Sequence, residues 1–304
     1  MSSFRHRIRS YHGVLIALGF SILVIGSTGC TSVDSSRTEP ESREVELPGI
    51  YRSGVIHHPG PASEGCEPRT QIITHLVLHH TGAPLPSSLK TLEGKEEGRP
   101  VGVHYVISDE PSPRVIDMVP ESYAAYHAGK SAWGSKEGLN QHSIGIEIIN
   151  LDGNRHPYPA DQVELILALC DEIIRRHGIS PVNVVAHSDI AVGRKIDPGS
   201  LFPWRHLAEH GIGAWPLAVD VEEFLALPAP DEALSRSMLT DYGYRLEAGR
   251  EGLRLGVEAF QRHFRPHRVD GTMDAETGAL LRALLRRYRP EAPLGLPAAV
   301  KPAA

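Results

Sequence analysis

The stretch Ser143-Ile144-Gly145-Ile146-Glu147-Ile148-Ile149 is rich in β-branched residues and reads as the clearest strand of the chain. Alternation places Ile144, Ile146 and Ile148 on one face, and Gly145, Glu147 and Ile149 on the other. A helix over 159–177 follows, ended by Gly178. Its apolar stripe runs Val163, Ile166, Leu169, Cys170, Ile173, Ile174. Val182-Asn183-Val184-Val185-Ala186-His187 is then a second buried strand. Upstream, His75-Leu76-Val77-Leu78-His79-His80, Val103-His104-Tyr105-Val106-Ile107 and Val115-Ile116-Asp117-Met118-Val119 read the same way. Strands alternating with a long helix indicate an α/β domain with a mixed central sheet flanked by helices.

Beyond a break near Leu225-Ala226-Leu227-Pro228-Ala229-Pro230 the pattern becomes helical, over 232–242, 253–264 and 275–288. Residues 229–290 therefore form a small all-α module. The Pro/Ala-rich end, 291–304, reads as disordered.

At the other end, Arg5, Arg7 and Arg9 precede an apolar run from Val14 to Ile25 and then Gly26-Ser27-Thr28-Gly29-Cys30. A basic region, a short apolar region and small residues read as a secretory signal over 1–29, and the run is too short to span a bilayer comfortably. The segment resembles a bacterial lipoprotein signal, with Ser27 where such signals usually carry leucine. The resemblance implies lipidation of Cys30, and Thr31 after it favours the outer membrane. Residues 30–46 are rich in Ser, Arg, Glu and Pro and read as a flexible tether.

The 304 residues are 22% charged and 41% hydrophobic, the balance of a folded protein of one large domain or two ordinary ones. A formal charge of −6 argues against a general nucleic-acid binder. No Walker A loop or Rossmann glycine fingerprint suggests a nucleotide. Three cysteines are too few for a disulfide scaffold. Cys170 lies on the apolar stripe as a buried thiol, and a Cys66–Cys170 bridge is not expected.

Seventeen histidines raise the prospect of a metal site. Most read as surface groups: His57, His58, His156, His206 and His210 lie in polar surroundings, and His263 and His267 flank a helix end beside arginines, facing water. Three positions differ. His79 and His187 each end an apolar strand before a turn, and Asp197 follows ten residues later. Two histidines and a carboxylate would leave tetrahedral zinc one open position. Glu147 is the other anomaly, because a carboxylate within a buried strand is costly unless paired or functional. It reads as a structural ion-pair partner or as a general base, with Lys195 bringing positive charge beside the same place.

Several blocks together resemble one family. They are His79-His80-Thr81, then Tyr126-His127-Ala128-Gly129-Lys130-Ser131-Ala132-Trp133-Gly134, then Asn140 with Ser143 to Glu147. Ala186-His187-Ser188-Asp189-Ile190-Ala191 follows, running to Arg194-Lys195-Ile196-Asp197-Pro198-Gly199 and Phe202-Pro203-Trp204. Their order is that of the zinc-dependent N-acetylmuramoyl-L-alanine amidases of the amidase-2 type, related to phage amidase lysozymes and peptidoglycan recognition proteins. The likeness is to the lipoprotein amidase subgroup and spans 47–217. It implies one Zn²⁺ per chain on His79, His187 and Asp197, with Glu147 as the catalytic carboxylate and Lys195 as its cationic partner. Pattern alone does not decide between His79 and His80, and the family's position is His79. His127, Trp133 and Tyr105 match positions near the substrate cleft of relatives. Phe260-Gln261, Val269-Asp270-Gly271, Thr277 and Leu280-Leu281 resemble a peptidoglycan-binding helical module.

The implied enzyme is lipid-anchored at the periplasmic face of the outer membrane and cleaves the amide between N-acetylmuramic acid and L-alanine in peptidoglycan or muropeptides. The rival is a non-catalytic peptidoglycan-binding lipoprotein that tethers membrane to wall. The full set of two histidines, aspartate, glutamate and lysine speaks against it. Deleting the helical module is expected to weaken binding to sacculi while sparing activity on soluble fragments.

Overall fold

Two short antiparallel ribbons accompany a five-stranded mixed sheet. In chain order the strands are β1 (Cys66–Pro68), β2 (His75–His80), β3 (Tyr105–Ile107), β4 (Val115–Asp117), β5 (Tyr123–Ala125), β6 (Ala132–Trp133), β7 (Lys136–Glu137), β8 (Ser143–Ile148) and β9 (Val184–Ala186). The computed structural model describes residues 63–95, 98 and 100–296. The signal segment 1–29, the tether 30–46 and Cys30 lie outside the described residues. The sheet order is β4-β3-β8-β2-β9, with β4 antiparallel at one edge and the other neighbours parallel. β1 pairs with β5, and β6 with β7.

The helices are α1 (Leu85–Leu92), α2 (Ala160–His177), α3 (His187–Ile190), α4 (Trp204–Glu209), α5 (Ala218–Leu225), α6 (Glu232–Tyr242), α7 (Gly249–Phe264) and α8 (Ala275–Tyr288). α2 lays Val163, Ile166, Leu169, Cys170 and Ile173 against Leu76, Leu78, Ile144, Ile146 and Ile148 of the sheet. This is the face that the isoleucine alternation of β8 predicts. α2 stops at Gly178, whose φ of +63° is one that favours glycine. Cys170 is buried there, and both it and Cys66 are free thiols.

The opposite face carries Val77 and Val185, and it shares a core with the C-terminal helices through Trp133, Met238, Leu239, Tyr242, Tyr244, Val257, Phe260 and Phe264. Asp231 and Asp274 cap α6 and α8 by accepting the Leu234 and Thr277 amides, which starts those helices where the sequence predicts. All described residues belong to one compact unit, 45–304.

Three features differ from the sequence reading. His187 opens α3 instead of ending β9, because the Asp189 carboxylate accepts the Ala186 amide at 2.8 Å and turns the chain. The stretch before the Pro/Ala break is helical: α5 buries Phe224 against Ala279 and Ala283 of α8. Finally, residues 291–296 of the expected disordered tail pack down, with Leu294 accepting from the Arg282 guanidinium at 3.0 Å. Residues 297–304 lie outside the described ones.

Candidate active site

The parallel register brings the chemistry together. His79 on β2 lies beside Glu147 on β8, and Leu78 beside Ala186, one residue before His187. Strand alternation turns Val77 and His79, Gly145 and Glu147, and Val185 to one face. A row of His79, Glu147 and His187 therefore lines the ends of three neighbouring strands. Asp197 reaches the row from the loop after α3, whose return is fixed by the Ser188 amide donating to the Asp197 carbonyl at 3.0 Å. Arg194 pins the same loop by donating to the carbonyls of Ala128 and Lys130 at 3.0 and 2.7 Å.

Hydrogen bonds assign the protons of the two histidines. The Ser143 hydroxyl donates to the Leu139 carbonyl at 2.6 Å, so its oxygen accepts from His127 Nε2 at 3.1 Å. Burial, then the neighbouring His79, holds His127 well below its ordinary pKa, so its Nδ1 is a bare acceptor for His79 Nε2–H at 3.0 Å. Burial and then His187 push His79 down to about 4, leaving its Nδ1 a lone pair as well. His187 Nε2 faces the Ala128 carbonyl at 3.3 Å, which can only accept, so His187 too presents Nδ1 inward.

The two Nδ1 atoms lie 2.9 Å apart, and Asp197 Oδ2 is 3.2 and 3.0 Å from them. Three lone-pair donors thus converge, all buried and all within 4.8 Å of one another. Such a cluster is satisfied by a cation, and two imidazoles with one carboxylate are able to hold a metal ion. His80 stays outside it, with Nδ1 held at 2.9 Å from the Pro198 carbonyl.

Glu147, His127, His187, Lys195 and Asp197 line one cleft of about 240 Å³. Glu147 Oε2 is buried without a hydrogen-bond partner. Burial, reinforced by the charge of Asp197 and opposed by Lys195, pushes this carboxyl up to about 8. It can therefore exchange a proton near neutral pH. The far wall comes from Thr81 and the α1 region, with Ser88, Thr91 and Leu92.

Two residues expected near the cleft are elsewhere. Tyr105 is buried and donates to Glu121 at 2.8 Å, in a network that Arg176 and His177 join from the end of α2. Trp133 is buried under the helical module, its ring edge-on to Tyr244 at 4.9 Å and its Nε1 donating to the Val182 carbonyl. His263 does not face water either. It is buried and bonded to Asp189 at 2.7 Å, because α7 packs on α3 and α4.

Sequence reasoning passed over Arg69, which donates to the carbonyls of Glu121, Gln141, Tyr123 and Ser143 and so ties the ribbon to the start of β8. No local spacing marks an arginine whose partners are distant carbonyls. It also missed the role of His104, whose Nδ1 accepts the Gly145 amide at 2.9 Å beside the His127 ring.

Against known proteins, the family model described as N-acetylmuramoyl-L-alanine amidase matches residues 68–200. Over 245 residues the chain is 41% identical to the N-acetylmuramoyl-L-alanine amidase AmiD of Escherichia coli, covering 74% of this chain and 86% of that protein. The structure of E. coli AmiD with the substrate anhydro-N-acetylmuramic acid-L-Ala-D-gamma-Glu-L-Lys is similar, with a TM-score of 0.66 and 40% identity over 73% of this chain and 93% of that one. So is AmpDh3 from Pseudomonas aeruginosa with anhydromuramic pentapeptide, at TM-score 0.66 and 35% identity over 73% and 94%. With its two histidines, its aspartate and its half-buried glutamate set in this fold, the chain belongs to the amidase-2 family of N-acetylmuramoyl-L-alanine amidases.

Proposed function

We propose that the chain hydrolyses the amide between N-acetylmuramic acid and L-alanine in peptidoglycan or its muropeptides, using one zinc ion held by His79, His187 and Asp197. The observation that carries this reading is the convergence of the three donors beside a cleft that His187 and Asp197 line together with Glu147, whose Oε2 is buried without a partner. Zinc bound there supplies Lewis acidity toward the amide carbonyl and toward water. Glu147 takes the proton of the attacking water and delivers it to the departing alanine amine. The Lys195 ammonium stabilises the oxyanion as charge develops on the carbonyl oxygen.

Glu147→Gln tests the assignment, since it keeps the shape and removes the proton acceptor. The variant is expected to retain one zinc by metal analysis and to lose cleavage by roughly a hundredfold or more. Near-normal product release would mean another base, and loss of zinc would make Glu147 a ligand.

We also propose that Cys30 carries a lipid anchor holding the enzyme at the periplasmic face of the outer membrane, and that residues 229–290 contact peptidoglycan. The signal-like segment and the module's resemblance support these readings. Cys30→Ala should move the protein from the membrane fraction to the soluble periplasm. A wild type already found there would refute the anchor.

A further inference from the structure

Resting on the reading of His187 as a zinc ligand, we propose that Tyr244 and His263 are positioning residues, through which the C-terminal helices complete the metal site by way of Asp189. Asp189 is fully buried two residues after His187. Its Oδ2 accepts the Ala186 amide at 2.8 Å, the bond that turns the chain so that His187 opens α3. Its side-chain partners come from beyond residue 240. Tyr244 donates to Oδ1 at 2.9 Å, and His263 Nδ1 donates to Oδ2 at 2.7 Å.

Both donors are held for this one task. Burial, then the charge of Asp189, keeps the Tyr244 phenol well above its ordinary pKa, so it remains a donor. The His263 ring is stacked between Trp204 at 3.8 Å and Phe264 at 4.0 Å, which forbids it to swing. Its Nε2 has no partner, so the bond to Asp189 is the one its ring makes. Without these donors the buried carboxylate is left short of hydrogen bonds and must move toward water. That movement releases the Ala186 amide and loosens the turn that aims His187 at the cluster. Metal ligands depend on such outer partners for their aim.

The coupling is reciprocal: if the helices favour zinc, zinc must steady the helices. The test uses the full chain. Zinc affinity is measured by competition with a chromophoric chelator for the wild type, Tyr244→Phe, His263→Phe and Leu284→Ala. The phenylalanine variants keep the rings and remove the donors. Leu284, an apolar side chain buried in α8 that offers Asp189 no hydrogen bond, serves as a control for general destabilisation. We expect about tenfold weaker zinc binding in each phenylalanine variant, in the range of lost outer partners, and unchanged affinity in Leu284→Ala at a lowered Tm.

Amide exchange of the wild type supplies a second arm that needs no variant to fold, with zinc expected to slow exchange over 257–264. A wild type that binds no zinc refutes the metal reading itself. A wild type that binds zinc, with phenylalanine variants that match it within twofold or a Leu284→Ala variant that loses as much, refutes the positioning role. So does exchange over 257–264 that zinc leaves unchanged.

Discussion

Tyr105 illustrates what a single residue's pattern can hide. The family resemblance puts its strand position near the cleft as an expectation, but the phenol points to Glu121, which His177 and Arg176 also contact at 2.7 Å each. Burial raises the Glu121 pKa. The bond from His177, the charge of Arg176 and the bond from Tyr105 outweigh it and bring the group to about 2. A carboxyl pulled from 4.5 to about 2 in the folded state carries stability on the order of 3 kcal/mol. Because the folded pKa is the lower one, that stability is complete above about pH 4.5 and is lost as pH falls through about 2. The Tm gap between wild type and Glu121→Gln should therefore be widest above pH 5 and shrink toward pH 2. Tyr105→Phe should leave kcat/KM within about twofold while costing about 1 kcal/mol. A large fall in kcat/KM at an unchanged Tm would return Tyr105 to the substrate cleft.

At the scale of elements, periodicity carries most of the fold. β2, β8, α2 and the three C-terminal helices stand close to where apolar spacing and caps put them. The candidate ligand set is legible only in part: His79 ends an apolar strand and Glu147 breaks an alternating run. Pattern leaves His79 and His80 open and puts His187 at a strand end, where it in fact opens α3. The set as a whole comes from the family resemblance. The parts that were not readable depend on distant partners. α1 has only eight residues, and α5 is recognisable only once α8 covers Phe224. Gly145 is a further case, since a side chain there is excluded by another element. A Cβ on Gly145 would lie 2.5 Å from His127 Cγ, so the glycine makes room for the ring that receives the His79 proton. Gly145→Ala must push His127 aside, removing the acceptor of His79 Nε2–H and freeing that proton to shift to Nδ1, toward the cluster. We expect zinc affinity to fall between about ten- and a hundredfold, with the far-ultraviolet circular dichroism unchanged. An affinity within twofold of wild type would show that the ring is not needed to set the His79 tautomer.

At the scale of the whole molecule, the shared core argues against the expectation that deleting the helical module spares activity on soluble fragments. Trp133 ends the short strand β6, yet its ring lies against Tyr242, Tyr244 and the backbone of Gly243. Gly134 donates its amide to the Gly243 carbonyl at 2.8 Å, so even the main chain is shared. A sequence read segment by segment shows two apolar sets and cannot show that they are one core. Deleting 229–304 would expose Trp133 together with Val77, Val185 and Ile190, all buried in the cluster they share with Phe260 and Phe264. At about 1.5–3 kcal/mol for each large apolar side chain returned to water, the loss is comparable to the 5–15 kcal/mol that holds a typical domain together. Asp189 would lose both of its side-chain donors in the same step. The truncated chain is therefore expected to fail on soluble muropeptides as well as on sacculi, with a Tm lowered by 10 °C or more or no cooperative unfolding at all. A truncated protein with wild-type Tm and full activity on soluble muropeptides would restore the module to a mere tether. Calorimetry beside product chromatography on one sample distinguishes the two outcomes.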